Sequence, residues 1–239
     1  MSDASLSNRL ERSVLKVYEA IDKTRSKNWK HCNESYLWHE LVACILGSKV
    51  PFEHAQTAVT QLQNRGLLNV DKCLQNSPQF EVEIAEALSA PMGCQGIAGS
   101  AFRYRYPRLR ANHIRRTAEL VYHKHGSIKA ILEAGENDPR ETRLRIMSAS
   151  VGLGPKQSSL FLRNIGYTDD LAILDTHVLR YMFLMGILQI KTNVLSSLSR
   201  YQEAEERLCA YTKRLGVNLA YLDTAVWVTM RVFQRELAA

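Results

Sequence analysis

The stretch Ser148-Ala149-Ser150-Val151-Gly152-Leu153-Gly154-Pro155-Lys156-Gln157-Ser158-Ser159 decides how this chain is read. Gly152 and Gly154 make a hairpin between two helical segments, because glycine takes a positive φ without a Cβ clash. Pro155 suits the first turn of the next helix, where a missing N–H leaves no bond unmade. The free amides of that turn carry partial positive charge and form a seat for a phosphate. Lys156 then stands at the start of a helix. Taken alone the Gly-Leu-Gly unit is weak, since an ordinary tight turn between two helices uses the same residues.

The second informative stretch is Leu171-Ala172-Ile173-Leu174-Asp175-Thr176-His177-Val178-Leu179-Arg180. An apolar run delivers Asp175 to a helix start, where its carboxylate caps free amides. Asp175 follows Lys156 by nineteen positions, enough for one helix, its stop at Gly166 and a return loop. The two side chains can therefore face each other across one cleft. Their chemistry is that of an amine nucleophile beside a carboxylate that stabilises positive charge. The structural alternative is a surface lysine and a helix cap.

Working outward, the patterning is helical nearly everywhere. Leu6, Leu10, Val14, Val17 and Ile21 recur at three- and four-residue steps, and Trp38, Leu41, Val42, Ile45 and Leu46 form a second stripe ended by Gly47. Pro51 opens a third helix, running to Arg65 and Gly66, and Val82 to Leu88 marks a fourth, stopped by Pro91 and Gly93. A basic stretch from Gly96 to Arg110 precedes a helix predicted over 111–124. Short helices are predicted over 127–134 and 139–149. The C-terminal third supplies helices over 157–165, 176–186, 201–216 and 219–236. No segment alternates with period two for long, so the predicted fold class is all-α.

Composition narrows the function. The 239 residues are 46% hydrophobic, too apolar for a disordered chain, and no apolar run is long enough to span a membrane. The first thirty residues carry Asp3, Arg9, Glu11, Arg12, Lys16 and Glu19, which interrupt any secretory signal. A soluble cytoplasmic protein is expected. Lys and Arg number 31 against 24 Asp and Glu, a formal charge of +7, which suggests a polyanionic partner without requiring one. Five cysteines at 32, 44, 73, 94 and 209 contain no C-x-x-C and read as reduced thiols, Cys44 as a core residue. They lack the close spacing of an iron–sulfur cluster.

Gly152-Leu-Gly-Pro-Lys-Gln-Ser-Ser and Leu174-Asp-Thr-His-Val-Leu-Arg resemble the helix-hairpin-helix DNA glycosylase superfamily. The longer match, Phe161-Leu-Arg-Asn-Ile-Gly-Tyr followed by Leu171-Ala-Ile-Leu-Asp-Thr-His, is similar to the archaeal-type 8-oxoguanine DNA glycosylase/AP lyase family. Weaker resemblance covers Leu41 to Gly47, Arg108 to Ile114 and Val217 to Trp227. It implies two helical subdomains with a helix-hairpin-helix motif and an active-site cleft between them. The implied division is an N-terminal helix and linker over 1–35 and a glycosylase domain over 36–239, with the hairpin at 148–159 and the Asp loop at 171–180.

The resemblance also implies roles. Lys156 attacks C1′ of a flipped nucleotide, expels the base and forms a Schiff base that permits β-elimination of the strand. Asp175 orients the sugar and stabilises an oxocarbenium-like transition state. His177 and the amides around Gly152 and Gly154 contact backbone phosphate, although a histidine at a helix start also simply packs. Carbonyls of Ser148, Ser150 and Leu153 are candidate ligands of a structural monovalent cation; no other cofactor and no iron–sulfur cluster is implied. Tyr106 and Trp227 stand where aromatic residues stack on the extruded base, with Phe102, Tyr104 and Phe233 as neighbours. Trp227 reads equally as core of the last helix. Asp223, one helical turn earlier, is placed to bond the base edge or to serve as a surface charge. Ser48 and Lys49 follow the second helix, where the superfamily places residues that fill the vacated duplex position.

Arg103, Arg105, Arg108, Arg110, His113, Arg115 and Arg116, interleaved with aromatic residues, read as a phosphate-contacting face or as a solvated helix face. Three departures from the family pattern bear on substrate: Lys49 replaces an uncharged amide, the tail ends Arg235-Glu-Leu-Ala-Ala239 without a terminal lysine, and the Lys–Asp interval is one residue longer. The expected activity is therefore a bifunctional DNA glycosylase/AP lyase on duplex DNA, a monomer associated with the nucleoid, with 8-oxoguanine the first substrate. A bulkier modified base, such as a hypermodified base of viral DNA in antiviral defence, is the alternative. A non-catalytic helix-hairpin-helix DNA-binding module is the reading from another class.

Overall fold

The computed structural model describes residues 3–23, 28–75, 77–93, 101–192, 195 and 197–238. Cys94 and residues 96–100 of the basic stretch lie outside the described residues, as do the side chains of the 235–239 tail. The elements are almost all helices: α1 (Asp3–Ala20), α2 (Glu34–Leu46), α3 (Phe52–Asn64), α4 (Val70–Gln75), α5 (Pro78–Ser89), α6 (Pro107–Ala118), α7 (Ile128–Glu133), α8 (Pro139–Ser148), α9 (Pro155–Asn164), α10 (Thr176–Leu184), α11 (Leu198–Leu215) and α12 (Leu219–Ala238). A 3-10 turn at Trp29–His31 precedes α2, and a π-helical turn at Glu119–Lys124 extends α6. The sheet is one antiparallel ladder, β1 (Met92–Gly93) on β2 (Ala101–Phe102), with Met92 opposite Phe102. The all-α expectation holds.

The chain forms two units, Asn28–Tyr167 and Met1–Lys27 with Thr168–Ala239. The sequence reading gives residues 1–35 as an N-terminal helix and linker; α1 packs on α12 in the same unit as the C-terminal third. The reason is the apolar stripe of α1: Leu10 and Val14 are buried in one cluster with Leu179, Met182, Leu208, Leu222 and Val226. Burying each such side chain contributes about 1.5–3 kcal/mol, which a lone helix cannot obtain. In the other unit α2 is the central helix, with Leu37, Trp38, Leu41, Val42, Ile45 and Leu46 buried and neighbours α3, α6 and α9.

Helix ends follow local chemistry. Asn33, Ser77, Ser127, Asp138, Asp175 and Ser197 each cap a helix or turn through a side-chain oxygen. Gly216 closes α11 at φ 67, a left-handed cap that glycine takes without strain. Two elements differ from the sequence reading. Helix α4 has only six residues, too few to show a period. Helix α6 starts at Pro107, four residues before the expected Ala111, because Pro107 occupies its first turn. Among the described residues no helix is long and apolar enough to cross a membrane.

Candidate active site

In the Asn28–Tyr167 unit, Asp138 starts α8 by accepting from the amides of Arg140 and Glu141 at 2.8 and 3.2 Å. The chain leaves α8 at Ser148 and turns through Gly152, whose φ is 81. Two contacts with α6 fix this turn. The Val151 amide donates to the Thr117 hydroxyl at 2.9 Å. Gly152 packs closely against the His113 imidazole, where a Cβ would sit 2.2 Å from Nδ1. Gly154 then caps α9 in extended conformation, in open space, and Pro155 is the first helical residue.

Lys156 is therefore the second residue of α9, half-buried, within the turn whose amides carry the positive end of the dipole. Gln157, Ser158 and Ser159 beside it are buried, and Ser159 accepts from the fully buried Arg143 at 3.2 Å. Helix α9 packs on α2, where Asn164 donates to Glu40 at 3.1 Å. Between them lies Cys44. Burial pushes its thiol well above the usual range, Glu40 adds to this, and the Lys156 ammonium opposes it. Cys44 is a neutral core residue, as the sequence suggested.

The arginines sort differently from the sequence expectation. Arg110 was placed on the phosphate-contacting face, but it is 4% exposed and donates to the Ser48 carbonyl at 2.7 Å. Its other terminal nitrogen donates to His113 Nδ1 at 3.1 Å, which requires that nitrogen to be unprotonated. Consistently, burial first and then the Arg110 and Arg116 charges lower the His113 pKa. Arg110 is thus a structural strut joining α6 to the end of α2 and to the ring beneath Gly152. Arg115 is tied to Glu81 at 2.7 Å, and Arg103 donates to the Ser89 carbonyl at 3.2 Å. Arg105, Arg108 and Arg116 are exposed.

Ser48 is half-buried, and Lys49 after it is exposed at φ 62, a left-handed conformation that strains a residue with a Cβ. Tyr106 caps α6, with the Arg105 and Arg110 guanidiniums 5.0 and 5.9 Å from its ring centre. Tyr104 is buried and donates to the Leu46 carbonyl at 2.6 Å; burial raises its pKa to about 12. It supports the helix end and is no stacking surface. Phe102 stacks on His54 at 3.7 Å.

The other unit carries Asp175. One carboxylate oxygen, Oδ1, accepts from the amides of His177 and Val178 at 2.9 and 2.8 Å, which caps α10. Trp227 on α12 meets the His177 ring edge-on at 6.4 Å, and the Arg231 guanidinium lies 4.9 Å from the centre of its indole. His177, Trp227 and Arg231 thus make one polar–aromatic cluster at the start of α10. Arg231 was not singled out in the sequence, although its place one turn after Trp227 is the signal that could have found it. Phe233 packs against the core of this unit.

Asp223, read as a base contact or a surface charge, is not a surface charge. It is 3% exposed, and its Oδ2 accepts from the Ile173 amide at 3.0 Å, two residues before Asp175. The carbonyls of Ser148, Ser150 and Leu153 are neutral oxygens, a donor set suited to a monovalent cation. No group of three or more His, Cys, Asp or Glu side chains among the described residues is arranged to hold a metal.

Comparison with known proteins identifies the setting of this hairpin and this cap. The family model described as 8-oxoguanine DNA glycosylase matches residues 97–217. The 8-oxoguanine DNA glycosylase/AP lyase of Metallosphaera sedula is 32% identical over 212 residues, covering 89% of each chain. The crystal structure of the 8-oxoguanine DNA glycosylase of Thermotoga maritima superposes with a TM-score of 0.64 at 27% identity, over 95% of this chain and 96% of that one. That of the Methanocaldococcus jannaschii 8-oxoguanine glycosylase/lyase, in complex with DNA containing 8-oxoguanine, gives a TM-score of 0.63 at 22% identity, over 93% and 89%, a likeness of fold.

Proposed function

The chain belongs to the 8-oxoguanine DNA glycosylase family, and from that premise we propose that it excises 8-oxoguanine from duplex DNA with Lys156 as nucleophile and Asp175 as the stabilising carboxylate. It is a DNA glycosylase with AP lyase activity. The observation that carries the residue assignment is the place of Lys156, second in α9 directly after the glycine hairpin and half-exposed.

The amine of Lys156 forms a bond to C1′ as the bond from C1′ to the base nitrogen breaks, and the base leaves with that electron pair and takes up a proton. Positive charge develops on the sugar, and Asp175, with Oδ1 engaged by two amides, has Oδ2 to set against it. Loss of the proton on the attacking nitrogen and opening of the ring gives a Schiff base. Loss of a C2′ proton then expels the 3′ phosphate. The α9 amides, His177, Arg108 and Lys49 contact the phosphate backbone, and Trp227 and Tyr106 offer aromatic surface to an extruded base. A monovalent cation on the Ser148, Ser150 and Leu153 carbonyls would add positive charge near a phosphate. The named relatives carry 8-oxoguanine in their names, so a bulkier base and a non-catalytic module gain no support from them.

Borohydride trapping on a duplex containing 8-oxoguanine tests the assignment. The wild-type chain is expected to give a covalent adduct and Lys156→Gln none. An adduct undiminished in Lys156→Gln refutes the lysine. Asp175→Asn is expected to bind the duplex and to excise about 10²-fold or more slowly, the scale of losing one preorganised charge contact in a transition state.

A further inference from the structure

The segment that delivers Asp175 is held by three side chains from α11 and α12. Glu205 Oε1 accepts from the Ala172 amide at 3.0 Å, and Asp223 Oδ2 accepts from the Ile173 amide at 3.0 Å. The Tyr201 hydroxyl accepts from the Leu174 amide at 3.2 Å and donates to the Ala172 carbonyl at 2.7 Å. The Asp175 amide closes the series on the Ile173 carbonyl at 2.9 Å. Four consecutive amides are thus engaged, three of them by side chains 27 to 50 residues away in sequence.

These holders are buried, Glu205 to 1% exposure, and both carboxylates make charge-assisted bonds to backbone N–H groups. Burying a carboxylate is expensive, and a short apolar loop needs no such anchors for packing alone. What the arrangement does supply is a fixed path for a segment that has no helix or strand partner of its own. Its last residue is Asp175, whose Oδ1 is already committed to the α10 cap, so any shift of the loop turns Oδ2.

We propose that Glu205, Asp223 and Tyr201 are positioning residues that clamp the 172–174 backbone and thereby aim the Asp175 carboxylate. This rests on the catalytic role given to Asp175 above. Asp223 acts here through the backbone.

The test uses the full chain, single-turnover excision from a duplex containing 8-oxoguanine, and fluorescence anisotropy on the same duplex. Asp223→Ala and Glu205→Ala are expected to slow excision by roughly 10- to 100-fold, the effect of a displacement near ~1 Å, while duplex affinity stays within about threefold. Asp223→Asn keeps an oxygen acceptor and recovers most of the lost rate. In an Asp175→Asn background the same alanine substitutions add less than about twofold, because residues that act through one group are not additive. Tyr201→Phe removes only the hydroxyl, so it reads out the clamp even where an alanine variant does not fold. Full-rate excision by Asp223→Ala and Glu205→Ala, or an equal slowing in the Asp175→Asn background, overturns the clamp. Full-rate excision by Asp175→Asn overturns the functional reading itself.

Discussion

The hairpin at 149–156 and the loop at 171–175 both present one reactive side chain at the start of a helix, and they are held in place by opposite means. The hairpin is shaped by its own residues: Gly152 in a left-handed conformation, Gly154 as cap and Pro155 in the first turn, with Thr117 and His113 as its rests. The loop has no glycine and no proline, and its backbone is fixed by Tyr201, Glu205 and Asp223 from helices later in the chain. A local device tolerates changes elsewhere and fails at its own residues. A remote device fails at positions that look unrelated to the site.

The sharpest way to break this contrast is to alter the hairpin itself. Gly152→Ala places a methyl 2.2 Å from His113 Nδ1 and forces alanine to φ 81, so a loss of about 2 kcal/mol or more in unfolding free energy is expected, with weakened duplex binding. Gly154→Ala, which meets no atom within 4 Å and needs no positive φ, should change stability by less than about 1 kcal/mol. Denaturant melts of the two variants decide it; equal stability would show that the His113 contact does not shape the turn.

A smaller effect separates arginines that support the hairpin unit from those free to grip DNA. Arg110→Met leaves the half-buried Ser48 carbonyl without this donor and empties a buried side-chain site, and should cost about 1–3 kcal/mol of stability, with the salt dependence of DNA binding unaltered. Arg108→Met should leave stability nearly unchanged and lower the slope of log affinity against log salt by about 1. Reversed outcomes would return Arg110 to the DNA-contacting face.

The mildest test is titration. Because burial and two arginines hold the folded His113 below its ordinary 6.5, the unfolded chain takes up that proton first. Stability from this group is complete above pH 6.5 and declines as the pH falls through and below that value. Melts from about pH 7 to about pH 5 should show less decline in His113→Asn than in wild type. An identical decline would show that His113 is not the titrating group.

The helices were legible wherever an apolar stripe was uninterrupted, as in α1 and α2. The start of α6 was not. Its buried face is Arg110, Ala111, Ile114, Thr117 and Ala118, so a charged and a polar residue stand where a stripe would show apolar ones. The same masking hid the clamp. Glu205 falls on the buried stripe of α11 with Tyr201, Ala204, Leu208 and Tyr211, and a lone acid there reads as an interruption until its partner amide is seen. Asp223 stands one helical turn before Trp227, but spacing along a helix does not reveal which backbone lies opposite.

The sequence by itself determined the all-α class, the glycine hairpin that ends in Lys156 and the cap formed by Asp175, because each depends on the φ preferences and hydrogen-bonding reach of adjacent residues. Only the tertiary structure decided which charges face inward. Arg110 and Asp223 are committed to backbone groups 62 and 50 residues away, and Arg143 is buried beneath α9. The physical reason is that a buried charge is admitted only with a partner in place, and that partner is supplied by the fold, not by the neighbouring sequence.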